Sequence, residues 1–373
     1  MLKIKLMKTV LFIFSAILLF ANSLSAQIDS IFDQGVYRTF ITRLPADYST
    51  ANEYPLVLNL HGRTSSAAEQ QILTQFDGVA DSEGFVVVYP DGIDNTWTTI
   101  GNSDSDFLSN LVDTIRANYS INNCLFVTGF SQGGFMTYKF ANTTSHNVTA
   151  IAVGSGNMSN ALQNSSASAP QIPIMHFHGT DDNLVSYGGT FLISSVENTI
   201  QWWVNHNNCN TTPVFSNITN SNLTDGSTVE KYYYDGGASE SEVTFFKVIN
   251  GGHTWSGAIP IPVFGNTNQD INQSEIIGEF FSEHCSKSTG INETPSENSL
   301  SVYPNPFIGQ LTINTNNYEE LTMIIYNNLS QPIIKETFEK TVTINTDHFP
   351  GGIYYYEVRG GKGLLNSGKV IKN

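Results

Sequence analysis

Gly129-Phe130-Ser131-Gln132-Gly133 places a serine between two glycines, the spacing that suits a nucleophile on a tight turn. Such a serine attacks a carbonyl only with a base to take its proton, an acid to orient that base, and amide donors for the oxyanion. The motif alone is weak evidence, because a glycine- and serine-rich chain produces it by chance. The partners must therefore come from the rest of the sequence. "IPIMHFHGTDDN" offers Asp181 and Asp182 just beyond an apolar run, and "VTFFKVINGGHTWSG" offers His253 after two glycines. The order Ser, Asp, His suits a triad built at successive strand ends. Backbone N–H groups of Gln132, directly after the serine, and of Arg63, after "LVLNLHG", are the expected oxyanion donors, with Thr64 the alternative to Arg63. His61 reads as a turn-shaping residue, and His176 and His178 as structural residues on or beside a strand.

These residues need a scaffold that puts them on one edge. "PLVLNL", "FVVVYP", "CLFVTG", "TAIAVGSG" and "IPIMHFHG" are near-continuous apolar runs of strand length, as expected for parallel strands covered on both faces. Segments with helical spacing lie between them, at 106–118, 133–142, 194–206 and 272–284. Alternating strands and helices predict a doubly wound, mostly parallel sheet. Ser131 then falls between a buried strand and a helix starting near Gly133, while Asp181, Asp182 and His253 fall beyond carboxyl ends of strands. "YRTFITRLP" alternates like an edge strand, and "STVEKYYYD" and "SEVTFFKVING" read as late strands.

The chain has 373 residues, 40% hydrophobic and only 13% charged, with a formal net charge of −16. That acidity repels phosphate backbones and argues against a nucleic-acid partner. Lys3, Lys5 and Lys8 form a basic start, Val10 to Phe20 is apolar, and "ANSLSA" supplies small residues up to Ala26. Residues 1–26 thus read as a secretory signal peptide rather than a membrane span, leaving no span after cleavage. Of three cysteines, Cys124 reads as a buried thiol, while Cys209 and Cys285 each follow a predicted helix and form the expected bridge in an exported protein. No metal or cofactor motif is present: there is no H-E-x-x-H, no Cys/His cluster and no phosphate loop.

The composition changes near residue 286. "SKSTGINETPSENS" reads as a polar linker, followed by short alternating strands from "LSVYPNPF" to "SGKVIKN". The expected organisation is a signal peptide at 1–26, a catalytic domain at 27–285, a linker at 286–298 and a small all-β sandwich at 299–373.

"RTFITRLPADY", "LNLHG", "VVVYPDGIDNTW", "DSDFLSNLVDTI", "VTGFSQGGFMTY", "HFHGTDDNLVSYGG" and "GGHTW" occur in an order that resembles a known family across residues 37–285. It is the secreted α/β-hydrolase esterases grouped with polyhydroxybutyrate depolymerases and with feruloyl and acetylxylan esterases. The resemblance implies a Ser131–His253–Asp182 triad, choosing Asp182 over Asp181, and places Trp97 and Trp255 near the substrate pocket. It implies a cofactor-independent ester hydrolase acting on an ester substrate, polysaccharide-linked or polyhydroxyalkanoate. Ser186 and Ser256 stand where relatives often carry proline, a departure that bears on pocket shape. A peptidase of the same fold and a non-catalytic surface-binding protein are the competing readings. "VYPNPFIGQLTI", "GIYYYEV" and the terminal "GKVIKN" are similar to the sorting domain of the bacterial type IX secretion system, which implies that machinery as a partner and an extracellular or cell-surface destination. The competing reading of this module is a carbohydrate-binding sandwich.

Overall fold

The structure, a computed structural model, describes residues 27–166, 169–289, 300–303, 307–315, 320–327, 331–360 and 363–372. The expected signal peptide at 1–26 and most of the expected linker lie outside the described residues. Two compact units divide the chain, Met1–Gly290 and Ile291–Asn373.

The first unit opens with β1 (Gln27–Asp33), β2 (Val36–Arg43) and β3 (Tyr54–Leu60), followed by α1 (Ala67–Thr74) and α2 (Phe76–Glu83). β4 (Val86–Pro90), α3 (Ser103–Asn118), β5 (Ile121–Phe130), α4 (Gln132–Thr143) and β6 (Ala150–Gly154) come next. α5 (Asn160–Ser165), β7 (Ile174–Gly179), α6 (Val196–His206), β8 (Val214–Asn217), β9 (Thr228–Tyr234), β10 (Val243–Ile249) and α7 (Gln273–Thr289) complete it.

Ten strands form one sheet in the order β1-β2-β4-β3-β5-β6-β7-β10-β9-β8. The six central strands, β4 to β10 in that order, are parallel, and an antiparallel pair closes each edge. This is the expected doubly wound α/β sheet. The central strands are apolar throughout because helices cover both faces, and β4 and β6 are buried at every position. One core face gathers Leu58, Val127, Tyr138 and Trp203, and the other Val57, Phe126, Phe177 and Phe281. From β3 the chain first crosses to β4 and then returns to β5 on the other side. That reversal makes the carboxyl ends of β3 and β5 the topological switch point, the usual ligand position in such sheets.

β1 and β8 carry no apolar alternation that announces them, and every residue of β8 is exposed. α7 runs four residues past the expected domain end, through Thr289. Ser286-Lys287-Ser288-Thr289 contains no glycine or proline to stop the helix, and the first such residue is Gly290. Among the described residues no helix is long and apolar enough to cross a membrane.

Among its described residues the second unit has seven antiparallel strands: β11 (Leu300–Tyr303), β12 (Gln310–Thr315), β13 (Leu321–Tyr326), β14 (Pro332–Phe338), β15 (Thr341–Asn345), β16 (Gly352–Gly360) and β17 (Gly363–Lys372). They form sheets β11-β12-β15 and β14-β13-β16-β17. Leu311, Ile313 and Ile344 from one sheet pack with Met323, Ile325 and Val358 from the other, which gives a small β-sandwich.

Candidate active site

β5 delivers Ser131 directly into α4. The serine adopts φ 55° and ψ −120°, a conformation that side chains avoid and that only a well-supported turn sustains. Its N–H is tied to Gly154 O at 2.9 Å, and its carbonyl accepts Gly134 N–H at 2.9 Å. The flanking glycines are required by close backbone approach. A Cβ at Gly129 would lie 2.5 Å from Gly133 O, and one at Gly133 would collide with Leu60 O. Among the described residues no partner occupies Ser131 Oγ.

The residues expected as acid and base follow neighbouring strands. Asp182 follows β7, and its Oδ1 accepts the N–H groups of Leu184 at 2.9 Å and Val185 at 2.8 Å. Its Oδ2 lies 2.7 Å from His253 Nδ1, with the carboxylate fully buried. Asp181 instead is exposed and meets Thr180 Oγ1 at 3.3 Å. His253 follows β10, and its loop is pinned by His253 N–H to Phe264 O at 2.7 Å. A Cβ at Gly179 would strike Gly251 O, so the loops bearing Asp182 and His253 are pressed together backbone to backbone. The Phe130 ring packs against the His253 ring with centroids 4.8 Å apart and planes tilted by 39°, which brings the imidazole next to the elbow. With Nδ1–H donated to Asp182, the Nε2 lone pair is left to take a proton.

The loop after β3 lies against the elbow: a Cβ at Gly62 would be 3.3 Å from Ser131 Cβ. His61 Nε2 accepts Gly92 N–H at 2.9 Å, so Nδ1 carries the proton and donates to Gly62 O at 2.7 Å. Ser65 N–H reaches the same oxygen at 3.1 Å. In a trans peptide the N–H points opposite to the C=O, so these bonds turn Arg63 N–H away from His61. Among the described residues neither Arg63 N–H nor Gln132 N–H is spent on an acceptor, whereas Thr64 N–H goes to Asn95 O at 2.7 Å. Arg63 rather than Thr64 therefore has the free donor. Burial holds His61 below the usual histidine range, consistent with a neutral ring of fixed tautomer.

Two sequence expectations require correction. Trp97 and Trp255 do not line an open pocket: they are 2% and 1% exposed, and their indole N–H groups bond His61 O at 2.8 Å and Ser274 Oγ at 3.0 Å. A large ring with a satisfied N–H is most stable in the core. Cys209 does not bridge Cys285. Cys124 and Cys285 form the disulfide, with Cα atoms 5.7 Å apart, and Cys209 is a buried free thiol. Packing of α7 on β5 sets this pairing, which helix ends in the sequence could not reveal; the ring stack of Phe126 on Phe281 at 4.5 Å marks the same contact.

The structure also enlists residues that sequence reading passed over. The Gln132 side chain accepts Thr96 Oγ1 and Trp97 N–H at 2.9 and 3.1 Å and donates to Trp97 O at 3.0 Å, clamping the loop after β4. Arg38 and Asp104 form a buried ion pair at 2.8 Å, and the second Asp104 oxygen accepts Thr98 N–H at 2.6 Å. A charged residue inside an alternating strand, as Arg38 is in β2, was the available signal.

Residues 87–217 match the Phospholipase/Carboxylesterase family, a stretch that contains Ser131 and Asp182 and ends before His253. A bifunctional acetylxylan esterase/xylanase of Neocallimastix patriciarum is 36% identical over 158 residues, 42% of this chain and 23% of that protein. Feruloyl esterase D of Neurospora crassa is 30% identical over 168 residues, 41% of this chain and 56% of that protein. The chain thus spans from under a quarter to just over half of these relatives' lengths. Among solved structures, an acetyl xylan esterase from Aspergillus awamori aligns with TM-score 0.48 and 18% identity over 64% of this chain and 96% of that one. Residues 301–373 match the Secretion system C-terminal sorting domain, which marks the protein for the cell exterior or surface. The chain therefore carries one stretch similar to the Phospholipase/Carboxylesterase family and, after it, one similar to the Secretion system C-terminal sorting domain.

Proposed function

We propose that this chain is a secreted serine esterase working through Ser131, His253 and Asp182. The buried 2.7 Å contact between His253 Nδ1 and Asp182 Oδ2, beside a serine held at φ 55°, carries the reading. Ser131 Oγ attacks the ester carbonyl as its proton passes to His253 Nε2. The N–H groups of Gln132 and Arg63 stabilise the oxyanion, and Asp182 supports the imidazolium. Collapse expels the alcohol, which takes the proton from His253. Water activated by the same imidazole then releases the acid and restores Ser131.

The substrate class we propose is a feruloyl or acetyl ester on a plant polysaccharide, in keeping with the names of the similar esterases. The sorting domain supports delivery by the type IX machinery. The deciding experiment pairs fluorophosphonate labelling with turnover of p-nitrophenyl acetate, methyl ferulate, acetylated xylan and polyhydroxybutyrate. Label on Ser131 and turnover lost in Ser131→Ala support the esterase; absence of both leaves a binding protein. Turnover of polyhydroxybutyrate alone would overturn the polysaccharide assignment.

A further inference from the structure

Behind the Asp182 turn lies a set of buried polar side chains that the proposed chemistry does not use. Tyr138 sits on α4, seven residues and two turns beyond Ser131. Its hydroxyl is 2.8 Å from His176 Nδ1. His176 and His178 occupy alternate positions of β7, so they share a face, and their rings stack 5.5 Å apart with planes 4° from parallel. His176 Nε2 lies 3.3 Å from His178 Nδ1, and His178 Nε2 lies 2.8 Å from Val185 O.

The proton positions follow in sequence. A carbonyl only accepts, so His178 Nε2 carries hydrogen. Both rings are fully buried and burial holds both below the usual histidine range, most strongly at His176, so both are neutral. His178 Nδ1 is then an acceptor and His176 Nε2 must be the donor to it. His176 Nδ1 in turn accepts, and the Tyr138 hydroxyl donates. Every bond in the chain points the same way, from α4 toward Val185.

Val185 is the residue whose N–H donates to Asp182 Oδ1 at 2.8 Å, so the residue is held through both its N–H and its C=O. His178 Nε2 also lies 3.4 Å from Asp182 Oδ2, the oxygen that faces His253. The carboxylate therefore sits between two imidazoles, one facing the reaction and one rooted in the core.

We infer that Tyr138, His176 and His178 are positioning residues: a one-way hydrogen-bond chain that fixes the 182–185 turn and registers the Asp182 carboxylate to the helix bearing Ser131. The inference rests on the proposed catalytic role of Asp182. Because Ser131 caps α4 and Tyr138 lies on it, a single helix sets both the nucleophile and, through the chain, the acid.

The test uses the full-length protein carrying Tyr138→Phe, His178→Leu, His178→Gln or Asp182→Asn. Kinetics on p-nitrophenyl acetate are read beside ¹⁵N imidazole spectra and the low-field Nδ1 proton of His253. Tyr138→Phe should lower kcat about tenfold with KM within about twofold, the scale of one buried hydrogen bond. It should also shift the His253 proton and disturb the His176 tautomer. His178→Leu should cost on the order of a hundredfold, and His178→Gln, which keeps a donor, should recover most of it. In the wild type both β7 histidines should be Nε2–H tautomers. Nδ1–H tautomers overturn the chain even if no variant folds. A folded Tyr138→Phe with unchanged kcat and an unmoved His253 proton overturns it as well. Full turnover in Asp182→Asn would instead sink the catalytic reading, which separates the two failures.

Discussion

Cys124, in the buried part of β5, the strand that leads into Ser131, is bonded to Cys285 near the end of α7, 161 residues away in sequence. The bond joins the strand that aims Ser131 to the last helix of the first unit. Closing so long a loop restricts the unfolded chain and contributes about 5 kcal/mol in the loop-entropy model. Cys124→Ala with Cys285→Ala should therefore lower the melting temperature by several degrees while leaving the triad intact. Non-reducing peptide mapping should find 124 joined to 285. Burial pushes the Cys209 thiol up to about 11, so it should resist alkylation until the protein unfolds. A 209–285 linkage would contradict both expectations.

Stability should fall as pH drops below the ordinary histidine range. His61, His176 and His178 are each lowered, first because burial disfavours the charged ring, although Asp182 partly offsets this at His178. In the unfolded chain the three titrate near the usual value of about 6.5. Below that pH the unfolded state binds more protons than the folded state, so stability present above about 6.5 is progressively lost toward the folded values. Calorimetry at pH 5.5 in buffers of different ionisation enthalpy should show net proton uptake on unfolding. No uptake would mean that these rings are not neutral.

Asp182→Asn should lower turnover by roughly four orders of magnitude, because an amide no longer favours the proton on His253 Nδ1. Asp181→Asn should change it less than about threefold, since that side chain is exposed and, among the described residues, meets only Thr180 Oγ1. Assaying both on one soluble ester checks the assignment, and a larger loss at Asp181 would reverse it.

A chain ending after Thr289 should keep its turnover of soluble esters and lose export. Every residue of the proposed triad and oxyanion site precedes that point, whereas the sorting domain spans 301–373. Ending at Cys285, as the composition alone suggests, would cut the last turn of α7 beside the disulfide and should cost stability. Comparing melting temperature, activity and culture-medium content of the two truncations decides this. Loss of activity in a folded 27–289 protein would make the C-terminal unit part of the enzyme.

The parallel sheet was legible because buried strands must be apolar at every position, and the serine was legible because tight turns demand glycine on both sides. Asp182 could be separated from Asp181 by resemblance only; the physical distinction, two backbone N–H donors on one carboxylate, exists only once the loop is folded. His176 and His178 look like strand residues with a structural role, and nothing in their spacing discloses that Tyr138 meets them. The disulfide was misread for a similar reason: Cys124 opens an apolar run like any core thiol, and its partner is set by how α7 packs. Analogy puts Trp97 and Trp255 at the pocket, whereas both are core residues with bonded indoles.

The two glycines nearest the proposed oxyanion site should respond differently to alanine. At Gly133 an added Cβ would collide with Leu60 O and lie 2.7 Å from His61 O, both backbone atoms of the neighbouring strand end. Neither can move without displacing β3 from β5, so Gly133→Ala should destabilise the fold by about 1–3 kcal/mol or more. At Gly62 the added Cβ would meet Ser131 Cβ at 3.3 Å and Phe130 O at 3.6 Å. Those contacts are tight but tolerable, and a few tenths of an ångström relieve them. The displaced atom is then the Cβ of Ser131, the proposed nucleophile, and small misplacements of reacting groups slow chemistry steeply. Gly62→Ala should accordingly melt within a few degrees of the wild type while kcat falls about tenfold or more. Thermal melts and single-ester kinetics on both variants check the contrast. A Gly62→Ala protein with unaltered kcat would show that the loop after β3 does not set the position of Ser131.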